Sequence, residues 1–84
     1  MTESPPEDGR QAAGRMVLAR RGEKGLTQQE VAGLAGVNVD TVSDMESGKT
    51  SPRSATVFAI ARVLELNGTE LWCVANGIPV QAAS

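Results

Sequence analysis

The chain has 84 residues, eight of them Lys or Arg and ten Asp or Glu, for a net charge of −2 with no His. That length suits one small domain with a thin core, so no separate catalytic or effector unit is expected within it. One cysteine, Cys73, and the lack of His exclude an internal disulfide and a structural zinc set.

No apolar run approaches a membrane span and residues 1–20 lack the pattern of a secretory signal, which predicts a soluble, cytoplasmic protein with no membrane partner. Phe58 and Trp72 are the only aromatic residues, so the core must come from Val, Leu, Ile, Met and Ala, a composition that predicts an all-α fold. Glu3, Glu7 and Asp8 crowd the start; from residue 9 onward eight bases face seven acids. A near-neutral domain permits nucleic-acid binding through a local patch and excludes binding driven by bulk charge.

In chain order, residues 1–8 combine Pro5-Pro6 with acids and read as a disordered acidic tail. A first helix is predicted over 9–24, capped by Asp8 and stopped by Gly25, with Ala13, Met16 and Val17 inward. It carries five of the eight bases: Arg10, Arg15, Arg20, Arg21 and Lys24. Thr27-Gln28-Gln29-Glu30 is a capping box, so a second helix starts there, with Val31, Ala32, Leu34 and Ala35 inward and Gly36 at its end. Asn38 can cap a third helix over 39–47, with Val42 and Met45 inward and Gly48 beyond.

Residues 48–53 form a loop in which Pro52 suits the start of a fourth helix, about 53–65. Its inward stripe is predicted to be Val57, Phe58, Ile60, Ala61 and Leu64. Asn67-Gly68-Thr69-Glu70 repeats the cap pattern for a fifth helix through Ala75, ended by Gly77 and Pro79. The folded domain is thus expected over 9–78, with a frayed tail at 79–84.

Two short helices joined through Gly36 are the centre of this pattern. Residues 25–48, GLTQQEVAGLAGVNVDTVSDMESG, resemble the lambda-repressor-like (XRE-type) helix-turn-helix family in Leu26-Thr27-Gln28, in Ala32 at the helix crossing, in Gly36, in apolar Val37, Val42 and Met45, and in Glu46-Ser47-Gly48-Lys49. The resemblance covers roughly residues 10–76. It implies a compact five-helix DNA-binding domain, in which helix 2 lies across the DNA backbone and helix 3 reads base edges in the major groove.

Carried over residue by residue, the resemblance puts Gln28 and Gln29 at the phosphate backbone, helped by the partial positive charge of the helix N-terminus, although Gln28 also reads as an ordinary first-turn residue. Arg20, Lys49 and Arg53 are further candidates for phosphate, each equally readable as a solvated surface charge. Asn38, Val39, Asp40, Thr41, Ser43 and Asp44 would form the base-reading row, although Asn38 also reads as an N-cap and Thr41 as a first-turn residue. The guanine-reading Arg of many relatives is absent from this row. Asp40 or Asp44 can instead accept from cytosine N4 while Val39 meets a thymine methyl; alternatively, the acids repel phosphate and the face binds a protein. The family position of Glu46 implies an ion pair with Arg21, which removes both from the DNA-facing set.

With about 4 phosphates neutralised per subunit, log K would fall with log salt at a slope of about −3 to −4, so one subunit binds weakly. A homodimer through the fifth helix, with Leu71 and Trp72 as candidates beside Cys73 and Val74, would place two half-sites about 34 Å apart; the same apolar residues also read as core packing, and Trp72 can serve both. The inventory offers no base, no nucleophile with a partner, no phosphate loop and no metal spacing, so no enzyme, cofactor, metal or small-molecule ligand is expected. The reading is a sequence-specific transcriptional regulator of double-stranded DNA, a repressor of the phage Cro-like or antitoxin-like kind. The alternative is a protein-interaction module whose acidic helix 3 docks on a partner.

Overall fold

Short side chains with hydrogen-bond acceptors set where the helices begin. Thr27 Oγ1 accepts from the Glu30 amide at 3.0 Å while Glu30 Oε1 accepts from the Thr27 amide at 2.8 Å. Asn38 Oδ1 accepts from the Asp40 amide at 2.8 Å, and Asn67 Oδ1 from the Glu70 amide at 2.9 Å. Each bond satisfies an amide that the first helical turn leaves without an intrahelical partner. The resulting elements, in a computed structural model that describes residues 9–50 and 52–79, are α1 (Gly9–Lys24), α2 (Gln28–Ala35), α3 (Val39–Ser47), α4 (Ser54–Leu64) and α5 (Gly68–Ala75). The acidic stretch 1–8 with its expected Asp8 cap, Ser51, and residues 80–84 of the expected tail lie outside the described residues.

Gly25, Gly36 and Gly48 end the first three helices in the left-handed region, at φ 67°, 72° and 74°. α4 ends differently. Its C-cap is Glu65, the one non-glycine residue with positive φ among the described residues, at 59°. Two bases from α1 reach this end: Arg20 Nη1 donates to the carbonyls of Leu64 and Glu65 at 3.2 and 3.3 Å, and Lys24 Nζ lies 2.9 Å from Glu65 Oε1. Cations at a helix C-terminus satisfy its unpaired carbonyls and oppose its dipole. Lys24 holds the Glu65 carboxyl below the usual carboxylate range, first by hydrogen bonding and then by charge.

α1 packs against α3, α4 and α5, while α2 lies on α3 and α4, and α4 on α5. Their shared core holds Val17, Val31, Val42, Met45, Val57, Ile60, Leu64 and Leu71, with Ala13, Ala32, Ala61 and Ala75 where the helices approach. Gly14 allows a close crossing: a Cβ there would fall on the carbonyl oxygens of Met45 and Glu46, so the absence of a side chain is what lets α1 lie against α3.

Two expected core residues are outside. Leu34 is 67 % exposed and Phe58 43 %. At about 100° per residue, each lies about 110° from the centre of the buried stripe on its helix, although its neighbours in sequence are inside. Phe58 still covers something: its ring lies on Gly68, where a Cβ would collide with it. Leu71, expected at a subunit interface, is wholly buried in the chain's own core and is unavailable for one.

Candidate nucleic-acid interface

The turn between α2 and α3 is short and internally bonded. The Val37 amide donates to the Ala32 carbonyl at 3.0 Å as Gly36 reverses the chain, and half-buried Val37 then leads into the Asn38 cap. With Val31, Ala32, Val42 and Met45 buried, α3 has one face fixed against the core and the opposite row open. On that side Asp40 is exposed, while Val39, Thr41, Ser43 and Asp44 are half-buried. Asn38, exposed, has its carbonyl oxygen engaged as the cap, which leaves its NH2 group to donate.

Open depressions border this row on two sides. One, of about 400 Å³, is lined by Arg21, Thr27, Gln28, Gln29 and Val39, and so joins the first turn of α2 to the start of α3. The other, of about 390 Å³, is lined by Thr41, Asp44, Thr50, Pro52, Arg53 and Thr56. Thr50 and Thr56 were not singled out by sequence, where loop and first-turn threonines carry no distinguishing signal. Lys49 is exposed beside them, its backbone amide bonded to the Asp44 carbonyl at 2.9 Å.

Beneath the row, Arg21 and Glu46 meet in a two-pronged ion pair, Nε to Oε2 at 2.6 Å and Nη2 to Oε1 at 3.1 Å. Arg21 also donates to the Leu26 carbonyl at 2.9 Å. The side chains are 19 % and 6 % exposed, and the hydrogen bond to Glu46 raises the Arg21 pKa above its ordinary value, against opposing desolvation and with help from the Glu46 charge. A third donor completes the cluster, Gln28 Nε2, at 2.9 Å from Glu46 Oε1. The side chain expected to reach out to phosphate is therefore anchored inward through one amide hydrogen.

Arg20 is used elsewhere than expected. Its guanidinium caps α4 and lies 3.3 Å from Glu23 Oε1, so it is engaged within the fold. Between residues 25 and 48 there is no Lys or Arg, and the cations lining the two depressions are Arg21 and Arg53. Among the described residues no three His, Cys, Asp or Glu side chains converge as metal ligands, and no helix is long and apolar enough to cross a membrane.

The helix-turn-helix family model HTH_3 matches residues 17–71, which run from the middle of α1 into α5. The chain belongs to the helix-turn-helix family. A relative within it, the uncharacterized HTH-type transcriptional regulator y4dJ of Sinorhizobium fredii, is 34% identical over 64 residues, covering 76% of this chain and 83% of that protein. A Yarrowia lipolytica protein that carries the name multi-protein-binding factor 1 is 34% identical over 62 residues, covering 71% of this chain and 41% of that one. The fold also matches the crystal structure of the clp gene regulator ClgR from Corynebacterium glutamicum, with a TM-score of 0.74 and 25% identity over 87% of this chain and 78% of that one. This five-helix arrangement is thus a helix-turn-helix fold with α2 and α3 as its paired helices.

Proposed function

We propose that the chain is a sequence-specific DNA-binding transcriptional regulator that acts as a repressor, with α3 in the major groove. The observation that carries this reading is the open α3 row, bordered by Gln28 and Gln29 on one side and by Thr50 and Arg53 on the other, in a member of the helix-turn-helix family. Gln28, Gln29, Lys49 and Arg53 serve the phosphates, while Arg20 keeps its structural place at α4. Asn38, Val39, Asp40, Thr41, Ser43 and Asp44 face the bases. The Asp40 and Asp44 carboxylates accept hydrogen bonds only, so they suit the exocyclic amines of cytosine and adenine and oppose the O6 and N7 acceptors of guanine, while Val39 suits a thymine methyl. Repression follows from occupying a site that a polymerase needs.

Two subunits are needed because so few cations face the DNA. Half-buried Trp72 and Val74, with Ile78 48 % exposed just past α5, support the end of α5 as the contact between copies in place of Leu71. A second reading, a protein-docking surface, is favoured by the lack of any base across residues 25–48 and by the name of the Yarrowia relative.

Selection from random duplexes, followed by binding of two variants, separates the readings. On the DNA reading the wild type recovers a two-fold symmetric motif, and Lys49→Ala weakens all sequences alike with a salt slope smaller by about 0.9. Asp44→Asn then raises affinity for random duplex while lowering discrimination at one base pair per half-site by about 10-fold. Recovery without a motif, together with a silent Lys49→Ala, would move the assignment to protein docking.

A further inference from the structure

Three donors converge on the Glu46 carboxylate, two from Arg21 and one from Gln28. A carboxylate only accepts, so it selects the nitrogen end of the Gln28 amide over the oxygen end. This fixes one of the two flip states of the amide and, with it, the direction of the second Nε2 hydrogen. Glu46 itself is nearly enclosed, whereas Gln28 borders the open depression with Thr27, Gln29 and Val39. The amide is held from inside and accessible from outside.

We propose that Glu46 is a positioning residue for DNA binding: its carboxylate orients the Gln28 amide so that the second Nε2 hydrogen meets a phosphate oxygen at the first turn of α2. The proposal rests on the DNA-binding reading above. One nitrogen then bridges two anions, an arrangement that Arg21 supports by neutralising the inner one. Glu46 belongs to the last turn of α3, so the 2.9 Å bond ties the phosphate-contacting residue of α2 directly to the base-reading helix. A phosphate seated on Gln28 therefore sets the depth of α3 in the groove through a hydrogen bond as well as through packing.

The test uses a duplex recovered by selection with the wild type. Gln28→Ala and Glu46→Gln are each expected to weaken binding about 10-fold, and the double variant by about the same factor, because Glu46 acts through Gln28. Circular dichroism checks that each variant is folded at the binding temperature. Should Glu46→Gln unfold by stranding Arg21, the Arg21→Met/Glu46→Gln pair, which leaves no unpaired charge, replaces Glu46→Gln as that arm of the cycle. Losses that multiply toward 100-fold would overturn the positioning role while leaving DNA binding intact. A wild type that recovers no motif would overturn the DNA reading and this proposal together. A readout that needs no variant is the side-chain amide signal in nitrogen-15 spectra. The two Gln28 protons are expected to be separated and shifted relative to those of Gln29 in the free protein, and one of them to move on adding duplex; identical behaviour of Gln28 and Gln29 would count against the proposal.

Discussion

At 6 % side-chain exposure, Glu46 is gripped at both oxygens by Arg21 and accepts a third bond from Gln28. Removing the carboxylate strands a guanidinium that is itself only 19 % exposed. Glu46→Ala should therefore lower the unfolding free energy by about 3 kcal/mol, at the low end of the range for buried pairs because Arg21 retains some solvent and its bond to Leu26. Urea denaturation at neutral pH measures this; a loss below about 1 kcal/mol would class the pair with ordinary surface bridges. The sequence made this pair readable only through the family position of Glu46, since 25 residues separate the partners. The Gln28 link had no such signal. A glutamine at the first turn of a helix looks the same whether its amide turns outward or inward, and the choice is made by a carboxylate 18 residues away.

Helices α2, α3 and α5 begin where their capping residues predict, because those bonds are local and span two or three residues. Which face turns inward was less readable at the edge of a stripe. Leu34 and Phe58 are as apolar as their buried neighbours, and it is their angular place, about 110° from the buried stripe, that sets them outside. The destination of Arg20, 44 residues away at the end of α4, left no trace in its own surroundings in sequence. Two glycines of α1 give a matched test of such long-range packing. Gly14→Ala should cost about 2 kcal/mol by forcing a methyl onto the α3 carbonyls, whereas Gly22→Ala, with open space around it, should add about 1 kcal/mol through helix propensity. Thermal melts that move in the same direction for both would contradict this account of the α1–α3 crossing. At the α4 terminus, Glu65→Gly should raise Tm by about 3 °C by relieving the left-handed backbone. The Glu65 carboxyl is depressed in the folded state, so its bond to Lys24 stabilises above the unfolded value and is lost as pH falls through the folded one. The advantage of Glu65→Gly is therefore smaller at pH 7 than in acid, which melts at both pH values can check.

Across the whole molecule, α1 holds five of the eight bases, and three of them, Arg20, Arg21 and Lys24, are joined to other helices. These cations tie α1 to α3 and to the end of α4, so they support the fold before they support any binding. Lys49 and Arg53 remain beside the open row, which lowers the expected salt dependence from the four-phosphate figure to about two phosphates per subunit. The slope of log K against log salt should then be near −2 per subunit, and doubled for a dimer, when binding is measured across a salt series. A slope of −4 per subunit would mean that further α1 bases reach the DNA. If the proposed contact at the end of α5 holds, Trp72→Ala should shift the chain toward monomer in sedimentation, and a wild type that is already monomeric would refute that contact. The inward use of the α1 cations also bears on how such a regulator would search a genome. Sliding along random sequence depends on a diffuse attraction that holds a protein near DNA between productive encounters. With three of its eight cations employed as struts, this chain would leave wrong sequence quickly and reach its operator through many brief collisions, so that occupancy would follow cellular concentration closely and respond promptly when the protein is degraded.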